Sequence, residues 1–272
     1  MRASALLSAA ALVTVTSAAP LLAQSHPLQT EAATTARDGT LVFETGFDAM
    51  AQQPSYVTAA QRTGWSGPLL RLVYSPADSV ELGLEWVARV GVFGDPARNG
   101  AASSDFGDVT VRAKWRVHEG EGARPTIAAR FGVTLPETSF EDKQFRPLGL
   151  GPNTIRTFVE GLLTQPLGRG RLHLDLGLYL ADQVYAPHDQ DDFLSYAMAL
   201  EWPLSATTAA VTEVAGRAGR GNPGTGASGE WRAGLRTGRG RLRFDLAVRR
   251  GLAWADGTWG GTVGLRWTAH QR

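Results

Sequence analysis

The chain has 272 residues with no Cys, 32 Gly, 14 Pro and 8 Trp, and 27 Lys+Arg against 26 Asp+Glu leave a formal net charge of +1. Charge balance removes the electrostatic case for a nucleic-acid partner, and the lack of Cys excludes disulfides, thiolate metal sites, iron–sulfur clusters and thiol nucleophiles. A charged fraction of only 19% with abundant glycine argues against a helical bundle, and the length allows one large β domain.

Met1-Arg2, an apolar run from Ala5 to Val15 and the small-residue approach to Leu21-Leu22-Ala23 have the order of a secretory signal, with cleavage expected after Ala23. No later stretch reaches the roughly 18 apolar residues of a membrane helix, so any membrane role falls to strands. Residues 24–38 are polar and Ala-rich and read as a short periplasmic tail, disordered or partly inserted, ahead of a β domain over 39–272.

From residue 40 onward the apolar period is 2. Leu172, Leu174, Leu176, Leu178 and Leu180 alternate with His173, Asp175, Gly177 and Tyr179, and Leu242, Phe244, Leu246 and Val248 alternate with Arg243, Asp245 and Arg249. About twelve such strands are predicted, near 40–48, 66–75, 79–92, 105–118, 123–135, 152–167, 171–183, 191–203, 207–217, 227–238, 240–252 and 257–268. Their connections alternate long and short, with 49–65, 93–104 and 136–151 long and 75–78, 119–122 and 168–170 tight. An even-stranded transmembrane antiparallel β-barrel with short periplasmic turns and longer outer loops predicts that sorting. Period alone leaves open which face is wet, since a soluble barrel would turn the apolar face inward. Two features favour lipid. The polar face interleaves Gly83, Gly132, Gly177, Gly234 and Gly264 with its charges, and aromatic residues mark the strand ends: Trp65, Trp231 and Trp259 at one, Tyr74, Trp115, Trp202 and Trp267 at the other.

Asp105-Phe106-Gly107-Asp108-Val109 with Arg112-Ala113-Lys114-Trp115-Arg116, then Pro125-Thr126-Ile127-Ala128 through Val133-Thr134-Leu135-Pro136, form a recurring strand pair. Together with Leu69 to Tyr74, Val80-Glu81-Leu82 and Val211-Thr212-Glu213-Val214, this resembles the outer-membrane β-barrel family labelled after the meta-pathway of phenol degradation. The resemblance implies a porin-like barrel in the outer membrane of a Gram-negative bacterium that transports small, often hydrophobic or aromatic molecules. It brings no catalytic residue.

The polar face offers the functional candidates. Arg112, Lys114, Arg116 and Arg130 come first, followed by Glu160, Asp175, Glu201 and Glu213, then Arg232, Arg236, Arg241, Arg243, Asp245, Arg249 and Arg266. In a barrel closed in sequence order an acidic wall would face a mostly basic one, lining a pore that passes solute by diffusion. The expected partners are outer-membrane lipids and lipopolysaccharide, the barrel assembly machinery and a small solute; no nucleic acid, cofactor or catalytic residue is expected. The selectivity loops are expected at 49–65, 136–151 and 218–226. Two alternatives stay open: the charges pair and plug a structural barrel, or Ser195 and His173 form part of a lipid hydrolase site. Gly219 to Gly224 matches a dinucleotide-type glycine spacing but precedes no helix, and His188 to Asp192 reads as a solvated acidic loop.

Overall fold

The computed structural model describes residues 28–55, 60–96, 99–138, 150–151, 153–182, 189–219, 226–253 and 256–270. They form fourteen strand segments: β1 (Leu41–Pro54), β2 (Gln61–Ala77), β3 (Val80–Val87), β4 (Val90–Asp95), β5 (Ala101–Asp105), β6 (Val109–His118), β7 (Thr126–Leu135), β8 (Arg156–Leu167), β9 (Gly170–Ala181), β10 (Phe193–Pro203), β11 (Thr208–Gly219), β12 (Ser228–Arg239), β13 (Leu242–Gly251) and β14 (Trp259–His270). Each neighbouring pair is antiparallel, and β1 pairs with both β2 and β14, so the sheet closes on itself. β3 and β4 are one wall strand interrupted at 88–89, and β5 and β6 are another interrupted at 106–108, which makes a twelve-stranded barrel.

The burial pattern decides which face is wet. In β9, Asp175 is 7% exposed and Leu176 is 58% exposed; in β13, Asp245 is 4% and Leu246 is 60% exposed. In these strands the apolar run turns outward and the charged run turns in, the reverse of a water-soluble barrel. Such a belt of Leu, Val and Phe is stable only against hydrocarbon. The crowded interior accounts for the inward glycines. A Cβ on Gly177 would stand 2.3 Å from the Cγ of Glu160, and one on Gly132 would stand 2.7 Å from the Phe158 ring. Glycine there leaves room for the neighbour's long side chain.

At one end the hairpins are tight. Gly168 and Gly240 take positive φ in the turns after β8 and β12, which a Cβ would strain. The opposite end differs from the sequence expectation at two connections. The long loop expected over 49–65 shrinks to 55–60, because β1 and β2 extend beyond the predicted ends; the one expected over 93–104 shrinks to 96–100. Register shifts at Gly46/Asp48, Met50/Gln53 and Val92/Asp95 break the period of 2 that sequence reading follows.

The interruption at 88–89 lies beside Gly67 and Pro68 of β2, that at 106–108 lies beside Val87 of β3, and the backbone bridges both. Gly107 N–H donates to Val87 O (2.9 Å), Ala88 N–H to Pro68 O (2.9 Å) and Gly67 N–H to Arg89 O (2.8 Å). The wall bends there and remains hydrogen-bonded.

Candidate functional site

Residues 28–36, part of the tail expected over 24–38 to be disordered or partly inserted, run without regular secondary structure inside the barrel, and Leu28, Thr30, Glu31, Ala32, Ala33, Thr35 and Ala36 are buried there. An unpaired extended backbone in a desolvated space must find acceptors for its N–H groups. Carboxylates and one hydroxyl of the barrel wall supply them. Gln29 and Thr30 N–H donate to Glu213 (2.9 and 2.5 Å), Glu31 N–H to Asp175 (2.8 Å), Ala33 N–H to Thr164 Oγ1 (2.9 Å) and Ala36 N–H to Glu81 (2.6 Å).

The basic wall takes the one carboxylate the segment carries inward. Glu31 is bridged by Arg71 (3.0 Å), Arg112 (3.2 Å), Lys114 (2.8 Å) and Arg130 (2.7 Å), contributed by β2, β6 and β7. Lys114 also donates to the carbonyls of Thr34 (2.9 Å) and Ala32 (3.4 Å). Burial alone would raise the Glu31 carboxyl, but Lys114, Arg71 and Arg130 outweigh it and hold the group far below the ordinary carboxylate range. The segment thus turns most of its backbone donors to β8, β9 and β11 and its carboxylate to β2, β6 and β7, with Ala36 N–H reaching Glu81 of β3 among the basic strands.

Where the walls meet, charges pair between strands. Arg130 bridges Glu160 (2.5 Å), Arg71 bridges Glu44 (3.1 Å), and Arg236 joins Glu201 (2.5 Å) to Asp245 (3.2 Å). Arg232 pairs with Glu230 of its own strand and lies 3.8 Å from Glu213 of β11, and Arg249 pairs with both Glu230 (2.7 Å) and Asp48 (2.9 Å). Arg266 lies 3.7 Å from Glu44 at the β1–β14 closure.

Of the residues picked from sequence, Lys114, Arg130, Glu160, Asp175, Glu201, Glu213, Arg232, Arg236, Asp245 and Arg266 are buried in the interior, and Arg112, Arg243 and Arg249 are partly buried there. Arg116 sits close to the tight-turn end, on Glu119 (3.1 Å). Arg241 is a correction: it has the right parity but falls in the Gly240-Arg241 turn and is exposed. Glu31, Arg71, Glu44 and Glu81 escaped sequence reading. Arg71 and Glu81 have lumen parity between apolar neighbours and could have been found; Glu31 stands in a segment with no period.

His173 Nδ1 lies 3.0 Å from Thr164 Oγ1, and Ser195 Oγ lies 3.3 Å from Glu160, so no hydrogen bond joins Ser195 to His173. No group of three or more His, Cys, Asp or Glu able to hold a metal occurs among the described residues. Residues 1–27, most of the expected loop 136–151, His188 and the glycine pattern at 220–224 lie outside the described residues.

Above the segment, at the long-loop end, the interior opens into a cavity of about 830 Å³. Its floor includes Gln29, and its walls include Met50, Tyr179, Phe193, Arg156 and Arg217.

No family model matches the chain, and no curated protein matches it in sequence. Solved structures do match in fold. The COG4313 outer membrane channel from Pseudomonas putida F1 superposes with a TM-score of 0.61 at 16% identity, over 87% of this chain and 97% of that one. The fold is that of a twelve-stranded outer-membrane β-barrel. The KdgM porin follows at a TM-score of 0.52 and 10% identity, over 84% of this barrel and 99% of the porin. The NanC porin gives 0.52 at 7% identity, over 85% and 100%.

Proposed function

We propose that the protein is an outer-membrane channel for passive passage of small molecules, closed at mid-lumen by its own residues 28–36. The observation that carries this reading is the nature of the obstruction. It is a strap of chain held by side chains, which can leave without breaking a strand pairing, below a cavity wide enough for a solute. The shared fold of channels and porins and the outward apolar belt support a site in the outer membrane, with lipid and lipopolysaccharide around the belt. Export by a signal ending near Ala23 and insertion by the barrel assembly machinery belong to the same reading. Met50, Tyr179 and Phe193 along the cavity suit hydrophobic or aromatic solutes, and no residue is assigned a catalytic or cofactor role.

Planar-bilayer recording of wild type, of a variant lacking residues 28–36 and of Glu31→Ala tests the proposal. Folding is verified beforehand by heat-modifiability on gels. Wild type should conduct in small steps and both variants in larger ones. Folded variants as silent as folded wild type would leave a structural barrel.

A further inference from the structure

Resting on the channel reading, we infer that the outer cavity binds an organic anion with a flat apolar body, such as an aromatic carboxylate, and that Arg217 holds its charge. Arg217 lies on β11 near its outer end, and its register partner on β10 is Ser195. Its Nε donates to the Gly226 carbonyl (2.8 Å), which orients the guanidinium plane. No carboxylate forms an ion pair with it among the described residues. The other three arginines of the cavity wall are each neutralised: Arg62 by Asp95 (3.2 Å), Arg156 by Asp108 (2.6 Å) and Arg249 by Asp48 (2.9 Å) and Glu230 (2.7 Å). Asp256 lies in the same wall, but its Oδ2 is occupied by the N–H groups of Gly229 (2.7 Å) and Ala253 (3.1 Å). A half-buried guanidinium that lines the cavity and whose terminal nitrogens carry no hydrogen bond among the described residues suits a carboxylate, which it can engage through two parallel hydrogen bonds.

The surroundings specify the rest of the ligand. Phe158, Tyr179 and Phe193, on three successive strands, stack with centroids 4.9 and 4.8 Å apart and planes within 20° and 13°. Arg217 closes that stack, its guanidinium carbon 5.7 Å from the Phe193 centroid. Tyr179 is fixed by donating to Glu160 (3.0 Å), so the platform is rigid. Across the cavity, Met50 and Val92 offer an apolar surface. A ring carried by the anion would lie between these apolar sides while its carboxylate meets Arg217. A small inorganic anion would use only the guanidinium, and a neutral ring only the apolar sides.

Titration of the full-length protein, folded in detergent, with benzoate, benzyl alcohol, acetate and inorganic phosphate tests this, read by tryptophan fluorescence and checked by calorimetry. Benzoate should bind about tenfold tighter than each of the others, and Arg217→Gln should weaken benzoate about tenfold while Arg217→Lys weakens it less. Benzoate no tighter than benzyl alcohol would remove the role of charge; acetate or phosphate equal to benzoate would remove the ring. An unchanged affinity in folded Arg217→Gln would overturn the assignment of Arg217. The wild-type series stands if that variant fails to fold. Binding without conduction would sink the channel reading and keep this site, and conduction without binding would do the opposite.

Discussion

The lower and upper halves of the interior solve opposite problems. Below, carboxylates and cations are packed around residues 28–36, and each of Glu31, Arg71, Lys114 and Arg130 has at least two charged partners. Above, four arginines line a cavity, and one of them, Arg217, forms no ion pair among the described residues, Asp256 acting on it only at longer range. A desolvated charge is tolerable only when paired, so removing one member below strands the others. Removing Arg217 breaks no ion pair among the described residues and costs one hydrogen bond, to the Gly226 carbonyl. The lower half is therefore built for holding and the upper half for receiving.

The sharpest way to break that contrast is Arg130→Ala against Arg217→Ala. Loss of Arg130 leaves Glu31 and Glu160 short of a partner in a buried site, and should lower the unfolding free energy by about 3–5 kcal/mol in urea titration of the detergent-folded protein. Arg217→Ala should change it by less than about 1 kcal/mol. Similar losses would erase the distinction.

Gly177→Leu tests how tightly the lower half is packed. The new Cβ would meet Glu160 Cγ at 2.3 Å and Ser195 Oγ at 2.8 Å, so overpacking should cost about 1–3 kcal/mol by the same titration.

Acidification sharpens the comparison further. The Glu31 carboxyl is depressed from its ordinary value of 4.5, so its contribution to seating the segment is complete above that value. It is lost only as pH falls through the depressed value of the folded state. Conductance should therefore show no Glu31-dependent opening between pH 7 and pH 4.5, read as the difference between wild type and Glu31→Ala. A wild-type opening in that range, absent from the variant, would mean that the cations hold Glu31 weakly.

The smallest effect is expected at Arg241. Reversal to Glu in the exposed turn should leave ion selectivity unchanged in bilayer recordings, whereas Arg243→Glu, partly buried inside, should shift it.

The barrel was legible because its outer face meets a uniform apolar medium, so a period of 2 survives in most strands. Leu172 to Leu180 display it without interruption. The pattern failed where geometry departs from that period: at the bulges after Gly46 and Met50, and at the paired breaks at 88–89 and 106–108, where backbone rather than side chains sets the bend. Most of the interior charges followed from parity, but their pairing did not, because it depends on a partner segment that no strand rule describes. Residues 30–36 contain only Thr, Ala and one Glu; their small size suits a narrow lumen, yet only the cations of β2, β6 and β7 make Glu31 meaningful. Arg241 shows the converse, since parity continues into a turn whose side chain no longer points inward.

The strap continues from β1 at the tight-turn mouth, and its other described end is held by Gln29 and Thr30 on Glu213. Thr35 and Asp38 bond to Asp78 in the β2–β3 turn, and Gly39 N–H donates to the Ser75 carbonyl (2.8 Å). On the channel reading, a strap that let go of Glu213 and Asp175 would stay tethered through residues 37–40 to β1, so the stopper would swing aside and could return to its seat.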